Sequence, residues 1–412
     1  MRRPCITWFI APAAFLLCTL PGAALARIKL ITLPVRQRVE IHLDNPNATL
    51  VEEERIVPLV KGVNQVDFSW ANTQIDSNTI LFRVLPPAAD AEKPEVKPAA
   101  EAAPPMDIKV LSVSYPPNEN ALVWQVAADL SGSARVRISY LLGNLTKSFN
   151  YRAVASQDES TLTLNQYIRL QNLANEEYAS TGLWAGFGPR FLKPIGINET
   201  KQLLMEKYEQ VPIKKTYTAD PQQFGYIDRP KNKLLIPMHY GLKNDKANHL
   251  GLAALQFGKV RIFQEDSHGP TAFLGEDWGK FTPLDDEMKL SVGTAQDIAV
   301  VRTIDRNELK RIAGNLFNRE VVVKYQIENF KDKAVRLDVS ESIRAIRNEL
   351  AGDNGRDVEW QLGPQTNFEG GLDKEKSTFD QVLLHVNLPA RGADGKAEKI
   401  IRTLHVILKN EW

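Results

Sequence analysis

Apolar and polar residues alternate along most of this chain. Val39, Ile41 and Leu43 are separated by Glu40 and His42, and Val136, Ile138 and Tyr140 repeat the pattern. Val321, Val323, Tyr325 and Ile327 face one way while Lys324, Gln326 and Glu328 face the other. Val335, Leu337 and Val339 follow the polar turn Lys331-Asp332-Lys333, and Val382, Leu384, Val386 and Leu388 put His385 on the polar side. A period of two marks strands with one face buried. Leu162, Leu164, Ile168 and Leu170 share a face too, with Gln166 interrupting it. Further strands are expected around Leu50–Ile56, Gln65–Trp70 and Thr79–Val84. Glu199–Gln210 reads equally as a helix or as part of a strand pair. Many short strands with turn signals between them predict an all-β protein built of antiparallel sandwich modules.

The organisation expected from composition has five parts. Residues 1–26 read as a signal peptide, with Arg2 and Arg3 leading an apolar run to Leu20 and Ala24-Leu25-Ala26 as the cleavage site. Residues 27–85 form a small N-terminal β-module. Residues 86–107, rich in Pro, Ala, Glu and Lys, read as a disordered linker. A β-rich domain over 108–317 and a C-terminal sandwich over 318–412 complete the chain. Cleavage before Arg27 removes Cys5 and Cys18, so disulfides and thiolate chemistry are not expected in the mature protein. The expected location is the periplasm, with outer-membrane or surface attachment as the alternative. No later stretch is apolar enough for a transmembrane helix. A terminal strand ending in Trp412 resembles that of a membrane barrel, but Arg402 and Asn410 interrupt its apolar face. A formal net charge of +1 argues against a nucleic-acid partner.

Catalytic signatures are missing: the chain has no GxSxG, HExxH, phosphate loop or dinucleotide fingerprint. No metal or cofactor is expected. His239, His249 and His268 lack ligand spacing and read as polar residues beside turns. Two stretches stand out. Gly182–Phe191 (GLWAGFGPRF) places Trp184, Phe187 and Arg190 among glycines, either as a binding platform for sugar rings or partner side chains, or as a lid on the core. Residues 263–287 carry Glu265, Asp266, Glu276 and Asp277, which would serve a carboxylate-dependent hydrolase only if they converged. Asp, Ser, Gly and Pro around them read instead as turn punctuation, with Pro283–Asp286 as a second turn.

Three stretches resemble the mucoidy inhibitor A-like family of exported bacterial proteins. They are ISYLLGNLTKSFNYRA with YIRLQNLANEEY inside Val136–Leu183, YGLKNDKANHLG at Tyr240–Gly251, and most specifically GKVRIFQEDSHGPTAFLGEDWGKFTPLDDEMKLSVGTAQDIAV at Gly258–Val300. Where members carry a long coiled-coil helix, this chain has the Pro/Ala linker. The resemblance implies a β-rich envelope protein, linked to exopolysaccharide production, whose large C-terminal region has no known biochemical function. It supplies no catalytic residues. The expected activity is therefore non-catalytic binding or scaffolding, with an envelope protein or polysaccharide as partner.

Overall fold

The computed structural model describes residues 29–45, 47–70, 72–86, 106–266, 271–352 and 358–412. The signal peptide, both cysteines, His268 and linker residues 87–105 lie outside these. Strands dominate, most of them paired antiparallel, and among the described residues there is one α-helix, Ile343–Ala351. None of the described helices is long and apolar enough to cross a membrane. The chain divides into two compact units, Met1–Glu40 with Leu50–Leu141, and Ile41–Thr49 with Leu142–Trp412.

The first unit packs two sheets. One runs in the order Lys29–Thr32, Gly62–Ser69, Ala121–Ala128, Ile108–Ser114, and the other contains Thr49–Leu59, Gly132–Leu142 and Leu81–Val84. Alternation turns Phe68 and Trp124 of the first sheet toward Tyr140 and Phe82 of the second. Ring centroids lie 5.9 Å apart for Phe68–Tyr140 and 4.9 Å for Phe82–Trp124. Strands from both sides of the Pro/Ala segment therefore share one core. The division expected at 86–107 does not separate a module ending at residue 85 from one beginning at 108, because Gly62–Ser69 pairs directly with Ala121–Ala128.

The second unit contains three main sheets. A five-stranded sheet has the order Thr200–Pro212, Thr161–Asn172, Leu145–Ala155, Gly258–Glu265, Thr271–Gly279. A middle sheet has the order Glu287–Thr294, Pro237–Lys243, Lys214–Ala219, Val335–Ser342, Gln381–Leu388. The third is built around the long pair Ile298–Ala313 and Leu316–Asn329 and the terminal strand Lys399–Glu411. One face of the middle sheet covers both neighbours. Tyr240, Leu242 and Leu290 pack with Tyr151, Leu162 and Val260 of the five-stranded sheet. Tyr217, Leu337 and Leu384 pack with Val323, Tyr325 and Leu404 of the third. Each fully buried aliphatic side chain of this kind contributes roughly 1.5–3 kcal/mol.

Three local outcomes refine the expectations. Glu199–Gln210 belongs to the strand Thr200–Pro212, paired along Thr161–Asn172. Gln166 keeps its inward place because its amide donates to the Tyr151 hydroxyl at 3.3 Å and its carbonyl accepts from Tyr208 at 3.4 Å. A boundary at 317/318 falls inside the Ile298–Ala313/Leu316–Asn329 hairpin, so no domain division occurs there.

Candidate functional site: an aromatic cleft

The site begins with a parallel pairing. Gly258 sits opposite Phe149 where Gly258–Glu265 runs beside Leu145–Ala155. A Cβ at position 258 would lie 2.3 Å from the Phe149 carbonyl oxygen, so only glycine lets the backbones approach this closely. The Tyr151 hydroxyl donates to the Gln256 carbonyl at 2.7 Å and fixes the entry of the strand. Gln256 and Phe257 are thereby held beside Phe149.

A second glycine shapes the opposite wall. The Leu43 amide donates to the Trp184 carbonyl at 2.7 Å, which ties residues 41–44 to the end of Tyr178–Trp184. Gly186 then turns at φ +91°, and a Cβ there would meet the Asp44 Cβ at 2.8 Å. This turn lays the Phe187 ring on Phe149, with centroids 5.9 Å apart and planes 29° apart.

Trp278, on Thr271–Gly279, closes the third side. Its ring stacks on Phe257 at 5.1 Å with planes only 4° apart, and Phe281 follows it. These rings, with Asp44, Lys147, Ser148 and Gln256, line a cleft of about 800 Å³, the size of a small-ligand site. Phe257, Trp278 and Phe281 remain 58 %, 53 % and 56 % exposed. They are therefore surface rings gathered together, not core rings. Lys259 places its ammonium 5.3 Å from the Trp278 centroid, within cation–π range. Lys147 donates to the Asn45 carbonyl at 3.0 Å; burial pushes its ammonium pKa down, and Asp44 pulls the other way.

The structure separates the residues singled out from sequence. Phe187 lines the cleft. Trp184 lies behind it, half-buried, edge-on to His42 at 6.2 Å and covered by the Arg190 guanidinium at 5.6 Å. The platform expected from Trp184, Phe187 and Arg190 is thus divided between a wall and its backing.

The four acids are spread along a hairpin. Glu265 ends Gly258–Glu265 opposite Thr271, and exposed Asp266 follows it. Glu276 stands opposite Arg261, about 13–17 Å along the strands from Glu265. Asp277 follows Glu276 directly and so points to the other face; its carboxylate accepts from the Ser291 amide at 2.7 Å. Glu276 accepts from Lys259 at 2.7 Å, which holds its carboxyl below the usual range. The set does not meet in one cleft, as paired glycosidase carboxylates must at about 5–10 Å. Asp285 has φ +63° and its amide donates to the Asn244 carbonyl, so Pro283–Asp286 is a turn.

The histidines are likewise dispersed. His239 is buried beside Phe224 at 6.0 Å, and burial pushes its imidazole down to about 4. His249 faces the Glu209 carbonyl at 3.2 Å. Among the described residues, no three His, Asp or Glu side chains gather at metal-ligand distance.

Sequence reading missed Phe149, Phe257, Trp278 and Phe281. The one local signal was glycine beside an aromatic, at Phe257-Gly258 and Trp278-Gly279. No family model matches the chain, and no curated protein matches it.

Proposed function

We propose that this chain is an exported, non-catalytic protein of the bacterial cell envelope that works as a binding or scaffolding module. The observation that carries the reading is the aromatic cleft. Five rings converge on it from segments far apart in sequence, three of them more than half exposed, beside a small set of polar groups. Exposed rings held in place by stacking suit sugar faces or a partner's apolar side chains, at little entropic cost. The resemblance of Gly258–Val300 to the mucoidy inhibitor A-like proteins supports an envelope location and a link to exopolysaccharide production. The N-terminal pattern of residues 1–26 supports export to the periplasm.

The test combines location with capture. Osmotic shock of cells expressing the full chain should release it as a soluble species trimmed before Arg27. Immobilised mature protein should then retain an envelope component that Phe187→Ala and Trp278→Ala release, with the melting temperature little changed. Retention in the cytoplasm would overturn export. Capture indifferent to both substitutions would overturn the cleft as the binding site.

A further inference from the structure

The outer face of the five-stranded sheet carries an arrangement of charge that its fold does not require. Register puts Lys207, Arg169, Arg152, Arg261 and Lys259 on that one face, drawn from four neighbouring strands. The buried residues of these strands, Tyr151, Ala153, Leu164 and Val260 among them, occupy the other face. Arg152 and Arg261 are direct register partners on adjacent parallel strands. Like charges placed opposite each other across a strand pair destabilise it.

The acids nearby do not cancel these cations. Glu276 is shared between Lys259 at 2.7 Å and Arg261 at 3.6 Å. Glu209 pairs with Lys207 at the sheet edge. Arg152 and Arg169 form no ion pair with any described residue; Arg152 instead lies over the Phe263 ring at 5.0 Å. Two guanidinium forks thus stand exposed in the middle of a sheet, one of them beside a third.

We infer that this face binds an acidic polysaccharide, a sugar chain bearing carboxylates, laid across the strands between Arg169 and Lys259. The inference rests on the reading of the chain as a binding module, but on side chains outside the cleft. Guanidinium groups take carboxylates by paired hydrogen bonds, and a carboxylate between Arg152 and Arg261 removes their repulsion. Tyr167, the register neighbour of Asn150, adds a ring surface on the same face. The amides of Asn150 and Gln202, 3.5 Å apart, offer donors and acceptors to sugar hydroxyls. A phosphodiester chain would call for a strongly basic domain, whereas this chain is balanced at +1.

The experiment is affinity electrophoresis of the full chain in native gels containing polygalacturonate, neutral dextran or single-stranded DNA. Polygalacturonate should retard the protein, dextran should not, and salt should weaken the retardation. Arg152→Ala with Arg261→Ala should reduce apparent affinity by about tenfold or more, as expected for losing charge-assisted hydrogen bonds. The matching lysine pair should retain part of it, with both pairs folded by circular dichroism. Phe187→Ala, in the cleft, should leave the retardation intact. The inference is overturned by no retardation, by retardation indifferent to the alanine pair, or by stronger retention on DNA. It is overturned equally if Phe187→Ala abolishes the effect. Failure here alongside Phe187-dependent capture of an envelope component would remove the acidic-sugar face alone and leave the binding module standing.

Discussion

Two places in the second unit bring arginine, glutamate and an aromatic ring together, and they differ in every other respect. In the sandwich of the middle and third sheets, Arg302 on Ile298–Ala313 bonds Glu341 at 2.6 Å and Glu349 at 3.0 Å, while the Tyr325 hydroxyl donates to the same Glu341 carboxylate. Glu341 is fully buried and Arg302 nearly so. Burial pushes the Glu341 carboxyl up although Arg302 pulls it down, whereas Glu341 and its neighbours hold the Arg302 guanidinium even more firmly charged. On the outer sheet face, Arg152, Arg261, Lys259 and Glu276 are set in water, with cations in excess. A buried charge must be answered within the fold, because leaving it alone is costly. An exposed one need not be, and what it leaves unanswered is available to a ligand.

The sharpest way to break that contrast is in the sandwich. Arg302→Met strands the Glu341 carboxylate and is expected to cost about 3–5 kcal/mol at neutral pH by urea unfolding. Adding Glu341→Leu should recover most of the loss, since apolar residues replace buried ion pairs well. A single-variant cost below about 1 kcal/mol would mean that the buried cluster behaves like a surface pair.

His239 supplies an intermediate case, an ionisable group buried with a neutral ring. Its pKa is about 4 folded against 6.5 for the free side chain, so the unfolded chain binds the extra proton first. Stability should therefore fall as pH drops from about 6.5 to about 4, and His239→Gln should flatten that slope in thermal melts across the window. An unchanged slope would show that His239 is not desolvated.

The smallest effect belongs to the sheet face. Arg152→Ala should change stability by less than about 0.5 kcal/mol, or raise it slightly by relieving Arg261. A larger loss would make Arg152 a structural residue and weaken the contrast from the other side.

Much of this architecture was legible from alternation alone. The strands through Val136–Tyr140, Val321–Ile327 and Val382–Leu388 lie where period two placed them, because a half-buried strand writes its own pattern. Phe187 was visible because glycines flank it. What escaped was whatever depends on partners distant in sequence. Gln166 read as an interruption because Tyr151 and Tyr208 reach it only through sheet pairing. Arg302 and Glu341 carry no local mark of burial, which comes only from the two sheets that close over them. The Pro/Ala stretch looked like a boundary because composition says nothing about which strands pair across it. Phe149, Phe257 and Trp278 likewise share a cleft through register, which no local window contains.

The parallel contact at Gly258 also sets a schedule. Tyr151 and Gln256, which lock it, are 105 positions apart, and Lys214–Ala219 and Pro237–Lys243 enter the middle sheet in between. A hairpin such as Leu145–Ala155 with Thr161–Asn172 joins strands that follow each other directly, but its junction with Gly258–Glu265 must wait for that whole excursion. Contacts of such long range are slow to close and leave unpaired edges exposed meanwhile. The cleft therefore cannot close before that excursion is complete, and a chain stopped short of Trp278 would hold four complete strands of the sheet but lack one wall of the cleft.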